Sequence, residues 1–452
     1  MKKLITLFTL AFCLNAKAQL CFNPYNSFAA NQLPQALTTA DFNGDNIKDI
    51  AVANFQSNDV TIMLGDGTGN FGAGTNFAAG TSVSSVCSAD IDNDGFIDLV
   101  VANNVSNITN NMAILYGTGT GSFGAPNTNM SVSRNSAFVI TADFNNDGKA
   151  DLALSSTVNN DITVLLGHNG TGFASLTHYS SGVASAQALT AADFNGDSKP
   201  DLVVLCPVYN NAAILLNNGS GAFGSPTTFT LGSTPTSVCS DDFNGDGKMD
   251  LAVANKGGNS VSVLAGNGNG TFNTAVNYTV GSQPVSIVSG DFNGDSKKDL
   301  AVANANSNKV SVLVGSGTGT FATAVSYAIT NTPYAIINAD FNGDGKLDIA
   351  TADNGVNDVA VLLSCATAGI NQFANNNTIN VYPNPAQNNF TVEVSTNEKQ
   401  NISIFDVNGK LVLTQTINST TNIDASNLVA GVYNISITNT QGITNKRLVI
   451  VR

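Results

Sequence analysis

Residues Asp242–Asp250 read "DFNGDGKMD", with oxygen-bearing side chains at positions 1, 3, 5 and 9 and a glycine, Gly247, at position 6. The nonapeptide recurs as "DFNGDNIKD" from Asp41, "DIDNDGFID" from Asp90, "DFNNDGKAD" from Asp143, "DFNGDSKPD" from Asp193, "DFNGDSKKD" from Asp291 and "DFNGDGKLD" from Asp340. Successive first aspartates are 49, 53, 50, 49, 49 and 49 residues apart. A fixed period of that size marks supersecondary units that are stacked or arranged in a ring.

The unit itself is all-β. In the fifth repeat four strand-like runs follow one another: "TSVCSDDF" (a), "DLAVAN" (b), "SVSVLAG" (c) and "TFNTAVNYTV" (d), each bounded by Gly, Asn or Ser. The c–d connection is glycine-rich, as in "GDGTGNF" and "GNGNGTF", and glycine permits the positive φ of a tight turn. Four antiparallel strands in each of seven repeats predict a seven-bladed β-propeller. A linear solenoid is the competing architecture. The chain ends oppose it, because the last repeat lacks run d while "CFNPYNSFAA", from Cys21, is a run d with no a, b or c before it. The N-terminal strand is therefore expected to complete the last blade and remove its open edge. Aligned to the fifth blade, Cys365 and Cys21 fall at Asn267 and Thr271, on either side of a hairpin turn, which predicts a Cys21–Cys365 disulfide. Cys87, Cys206 and Cys239 read as buried free thiols.

Composition bounds the rest. Of 452 residues only 11% are charged, two are His, none is Trp, and the net charge is −14. That balance disfavours nucleic acid, whose phosphates need clustered Lys and Arg. Residues 1–18 read as an export signal: Lys2 and Lys3, the apolar run "LITLFTLAFCL", then Ala16-Lys17-Ala18. The run is too short to span a bilayer, and no later segment is apolar enough to do so. Phe12 before Cys13 argues against a lipoprotein site.

The repeated loop has the chemistry of a calcium site. Calcium takes six to eight hard oxygens, with position 7 usually giving its backbone carbonyl. The candidate ligands are Asp41, Asn43, Asp45, Ile47 and Asp49; Asp90, Asp92, Asp94, Phe96 and Asp98; Asp143, Asn145, Asp147, Lys149 and Asp151; Asp193, Asn195, Asp197, Lys199 and Asp201; Asp242, Asn244, Asp246, Lys248 and Asp250; Asp291, Asn293, Asp295, Lys297 and Asp299; and Asp340, Asn342, Asp344, Lys346 and Asp348. Position 12 of the fifth loop is Val253, which excludes an EF-hand. The alternative is a set of metal-free Asx-turns. Charge opposes that: residues 19–369 carry 28 acidic and 10 basic side chains, a net of −18, and 22 of the acids lie in the loops. Carboxylates crowded like this repel one another without a cation. Seven Ca²⁺ would bring +14 and leave −4. Asn46, Ser198 and Ser296 replace glycine at position 6, so those sites are expected to be weaker.

The D-x-[DN]-x-D-G-x-x-D loop, the "DLAVAN" strand and the "GTGxF" turn resemble the FG-GAP/VCBS repeats of integrin α-chain propellers and many bacterial surface proteins. The resemblance implies structural calcium between the first two strands of each blade, about seven ions in all. The repeat spans 19–365, a linker follows at 366–377, and 378–452 has the alternation of a small Ig-like β-sandwich. Within it, Pro383-Asn384-Pro385, Asp406, Gly409, Lys410, Gly431, Tyr433 and Lys446 resemble a type A sorting domain of the type IX secretion system. That implies export through the outer-membrane translocon of a Gram-negative bacterium, to the medium or the cell surface.

Function is less legible. A recognition or adhesion module for a glycan or protein is the leading expectation, acting as a monomer. A lyase-like, polysaccharide-active enzyme and a purely structural envelope protein are the alternatives. No G-x-S-x-G, H-E-x-x-H or P-loop pattern occurs. His168, His178 and the propeller's lone Arg134 read as solvated surface residues.

Overall fold

The computed structural model describes residues 20–105, 111–128, 132, 135–167, 172–329, 331–365, 380–393, 399–406, 410–439 and 442–452. The export signal, Arg134, His168, Gly409 and the linker lie outside the described residues. The chain divides into two compact units, Met1–Thr367 and Ala368–Arg452.

The first unit holds seven antiparallel sheets among the described residues. The fifth repeat is typical: Pro235–Asp241, Asp250–Asn255, Ser260–Leu264 and Val276–Thr279 pair in that order. Run d is shorter than its sequence pattern suggests. Phe272 makes an isolated bridge to Gly266 before the strand proper begins, because its ring turns inward against Phe194 at 5.6 Å. The second sheet has three strands, Val83–Ala89, Asp98–Asn103 and Met112–Leu115, and Asn127 adds an isolated bridge to Ile114. This is the repeat with the longest spacing.

The second strand of every sheet is buried along its whole length, as "DLAVAN" shows at Asp250–Asn255. Such strands read as continuous apolar runs because both faces meet protein. Each pair of neighbouring sheets shares an apolar cluster. One cluster joins Ile50, Val52 and Phe71 of the first sheet to Phe341, Ala350 and Val359 of the last. First strands touch those of the next sheet all the way round, including Pro34–Ala40 against Pro333–Ala339.

Asn26–Ala29 is the fourth strand of the last sheet, pairing with Asp358–Leu362 through Asn26↔Val361 and Ala29↔Asp358. Cys21 and Cys365 are disulfide-bonded with Cα atoms 5.2 Å apart. The Cys365 N–H donates to the Cys21 carbonyl at 2.9 Å, the same bond that Asn267 gives Thr271 within the fifth sheet's turn. Phe22 bridges Ser364 as Phe272 bridges Gly266. The disulfide thus stands where the other sheets have a covalent c–d turn.

The second unit contains two sheets among the described residues. Asn380–Tyr382, Asn389–Glu393 and Thr421–Asp424 form one; Leu411–Ile417, Gln400–Phe405, Gly431–Asn439 and Gly442–Ile450 form the other. Phe390, Ile402, Ile404, Ile435 and Leu448 are among its buried core. Asn384 clips Pro383–Pro385 to the last strand: its Nδ2 donates to the Arg447 carbonyl at 2.7 Å and its Oδ1 accepts the Val449 N–H at 2.9 Å.

Candidate metal centre

The acidic loops sit between the first and second strands of the sheets, and their backbone is shaped by their own side chains. In the fifth loop Asp242 Oδ1 accepts the Gly245 N–H at 2.7 Å, while Oδ2 accepts the Gly247 N–H at 2.8 Å. Asn244 Oδ1 accepts the Asp246 N–H at 2.8 Å, and Asp246 Oδ1 accepts the Lys248 N–H at 3.0 Å. The side chains at positions 1, 3 and 5 are thereby turned into one coil of backbone. Burial opposes ionisation of Asp242, but the N–H bonds from Gly247, Gly245, Asp246 and Asn244 outweigh it and hold the carboxyl below its ordinary pKa. Position 6 has positive φ throughout, including Asn46 at 65°, Ser198 at 64° and Ser296 at 63°, a region costly for any residue with a Cβ.

Position 9 does something the sequence did not reveal. Both Asp250 oxygens accept backbone N–H bonds, Oδ2 from Phe243 at 3.1 Å and Oδ1 from Gly266 at 2.7 Å. The same pair of hydrogen bonds recurs at Asp49, Asp98, Asp151, Asp201, Asp299 and Asp348. This aspartate ties the loop to the c–d turn of its own sheet. Burial raises its pKa, the two N–H bonds offset part of that, and the charges at positions 5 and 1 add to it; Asp201 and Asp299 are pushed up to about 6.

A Cβ at Gly266 would lie 2.1 Å from the Met249 carbonyl oxygen, so a side chain there requires the backbone to shift; Asn217 and Ser364 stand at the equivalent positions of the fourth and last sheets.

Position 2 is a second feature the motif reading passed over. Phe243 is buried and its ring meets Phe321 of the next sheet edge-on at 5.6 Å, while its carbonyl accepts the Gly319 N–H at 2.9 Å. Phe42 with Phe123, Phe144 with Phe223 and Phe341 with Phe71 repeat the pattern. Phe22 supplies the missing ring of the last sheet, 6.2 Å from Phe292. Each loop is therefore packed against the following sheet.

The loops differ in how their charge is balanced. Lys149, Lys199, Lys248 and Lys297 reach Asp147, Asp197, Asp246 and Asp295 at 3.1–3.7 Å. The second loop has Phe96 at that position and an extra acid, Asp92. There the carboxylates of Asp90, Asp92 and Asp98 place oxygens within 4.8 Å of one another. Burial and then the charge of Asp94 raise the Asp92 pKa, and burial pushes Asp98 up to about 6. Three hard oxygens crowded together, with no lysine paired to them among the described residues, fit a hard divalent cation. An ion there would neutralise the cluster; Asp90, Asp92, Asp98 and their equivalents would hold it.

His178 is half exposed, with Nδ1 3.6 Å from Asp161 and 3.0 Å from the Thr163 hydroxyl. Cys206 is buried, and burial pushes the Cys87 and Cys239 thiols up to about 12.

A propeller-like array of antiparallel sheets with acidic a–b loops, followed by a β-rich tail, defines a class of repeat protein. The family comparison assigns it. FG-GAP-like repeats match at 41–101, 90–154, 143–204, 193–253, 242–302 and 291–351, and a secretion system C-terminal sorting domain matches at 380–451. The chain belongs to the FG-GAP-like repeat proteins and carries a type IX sorting tail, which marks it for secretion or the cell surface. No curated protein matches the sequence. Among solved structures, BBS1N in complex with ARL6DN is similar at 12% identity and a TM-score of 0.53, over 77% of this chain and 98% of that one. The extracellular domain of a putative hybrid two-component system from B. thetaiotaomicron follows at 13% identity and a TM-score of 0.49, over 96% and 60%. A periplasmic gluconolactonase of Pseudomonas aeruginosa shares 15% identity with a TM-score of 0.49, over 66% and 86%. Such likenesses concern the fold. No helix of the described residues is long and apolar enough to cross a membrane.

Proposed function

We propose that the protein is a calcium-stabilised propeller, exported by type IX secretion after removal of residues 1–18, that serves outside the cell as a recognition or adhesion module. The observation that carries the calcium half is the crowding of Asp90, Asp92 and Asp98 within 4.8 Å. The same coil recurs in the other six loops with Asn at position 3 and Lys or Ile at position 7. Calcium in those loops is architectural, because each loop is bonded to its own c–d turn and packed on the next sheet. The recognition half is supported by the sorting tail, which marks the chain for secretion or the cell surface. It also rests on the near-identity of the sheets, which favours a display scaffold over a single catalytic pocket. The full chain, loaded with calcium, would be applied to glycan and extracellular-matrix arrays, with turnover followed in parallel. Saturable binding without product supports the reading. Cleavage of a polysaccharide would replace it with an enzymatic one.

A further inference from the structure

Equivalent positions in repeated sheets differ where the fold does not dictate them. The first strands surround a cavity of about 400 Å³, at the end of the sheets opposite the acidic loops. That volume lies in the range of small-ligand sites, about 300–1,000 Å³. One ring of first-strand positions is uniformly aliphatic: Leu37, Val86, Leu189, Val238, Ile287 and Ile336. Two residues earlier the ring is chemically mixed: Gln35, Ser84, Ala137, Gln187, Thr236, Val285 and Tyr334.

Part of the mixed ring is committed to structure. Ser84 Oγ donates to the Ser136 carbonyl and Thr236 Oγ1 to the Pro284 carbonyl, both at 3.1 Å, joining neighbouring sheets. The rest is not so committed. The side chains of Gln35, Gln187 and Tyr334 make no hydrogen bond among the described residues, and Tyr334 is 38% exposed.

Among the described residues one cation lines this cavity. Lys256 occupies the first position of the turn between second and third strands, where the other repeats have Phe55, Asn104, Thr157, Pro207, Ala305 and Asn354. It is half-buried and makes no ion pair among the described residues, whereas most propeller lysines are paired to aspartates. No Asp or Glu lines the cavity among the described residues.

We propose that this cavity binds a hydroxylated carboxylate of the sugar-acid type. Lys256 pairs the carboxylate in surroundings that hold no competing acid. The Gln35 and Gln187 amides take hydroxyls as donors and acceptors. Phe138 and Tyr334 offer ring surface to the carbon face. The proposal deepens the recognition reading and rests on it, but it uses none of the acidic loops.

The test is titration calorimetry on the calcium-loaded full chain with D-galacturonate, D-galactose and trigalacturonate. D-galacturonate should bind saturably and at least about tenfold more tightly than D-galactose. Lys256→Met should weaken it at least about tenfold, Lys256→Arg should retain it, and both variants should melt with wild type. A tighter trigalacturonate would identify the ligand as the end of an acidic glycan; monomer alone would identify a free sugar acid. No saturable heat with any acid up to about 10 mM, equal binding of galactose, or an unaffected Lys256→Met would overturn the proposal. Array binding that survives Lys256→Met would leave the recognition reading standing and remove this cavity from it.

Discussion

Asp353 makes the sharpest stability prediction. It ends the second strand of the last sheet, fully buried, where other sheets have Asn54, Asn103, Asn255 and Asn304. Asn54 Nδ2 donates to Asp59 at 2.8 Å and to Thr61 at 2.8 Å. In the last sheet Asp358 matches Asp59, but Ala360 stands where Thr61 would be. Burial pushes the Asp353 carboxyl up to about 8; the Thr351 hydroxyl opposes this and the Asp358 charge adds to it. The unfolded carboxyl, with its ordinary value of 3.8, loses its proton far earlier. A raised carboxyl pKa stabilises the fold below 3.8, and that stability is lost as pH rises toward 8. The slope is about 1.36 kcal/mol per pH unit, giving a ceiling of about 6 kcal/mol across the window. Asp353→Asn removes the titrating proton, and its amide can donate to Asp358 as Asn54 does to Asp59. Thermal unfolding of wild type and variant in saturating calcium, at pH 5, 7 and 9, reads the difference directly. The variant should be more stable at every pH, with a gain that grows from pH 5 to 8 and then levels. A constant gain, or a loss, would refute the reasoning.

Three further outcomes are expected. Replacing Cys21 and Cys365 by Ser opens a loop of 344 residues; the chain-entropy model gives at most about 6 kcal/mol, so the melting temperature should fall by several degrees, and unchanged melting would remove the disulfide from the account. Ser198→Gly and Ser296→Gly relieve positive φ at position 6 and should each stabilise by about 1 kcal/mol, checked by urea unfolding in calcium. Asn210 has φ 56° and its Oδ1 accepts the Thr234 N–H of the next sheet at 2.6 Å. Asn210→Ala should therefore cost about 2 kcal/mol, and a neutral result by the same assay would show that this inter-sheet bond carries little.

The period and the strand runs were legible because seven near-copies leave little freedom: the same alternation recurs with the same turn glycines. The N-terminal strand was legible because it is a run d without its partners. What escaped was the work of residues that look generic. Phe243 reads as an apolar residue inside a polar motif, and only the neighbouring sheet shows that it packs on Phe321. Asn210 and its equivalents Asn58, Asn160, Asn259, Asn308 and Asn357 lie in turns where asparagine is common. Their bonds to residues about 24 positions on, or from Asn357 back to Leu33, need the assembled sheets to be seen. The recurring asparagine four residues after the second strand was the available signal. Position 9 read as a closing ligand; each such Asp also accepts one backbone N–H on each oxygen, which leaves lone pairs for a cation. A short motif cannot reveal that, since one donor comes from 16 residues away.

Metal stoichiometry tests the central claim most directly. The full chain would be dialysed against calcium and then against EDTA, with bound metal measured by atomic emission and melting followed in both states. The account predicts about seven calcium ions per chain and a large fall in melting temperature on their removal. One ion or none, with melting indifferent to EDTA, would contradict it and make the acidic loops metal-free turns.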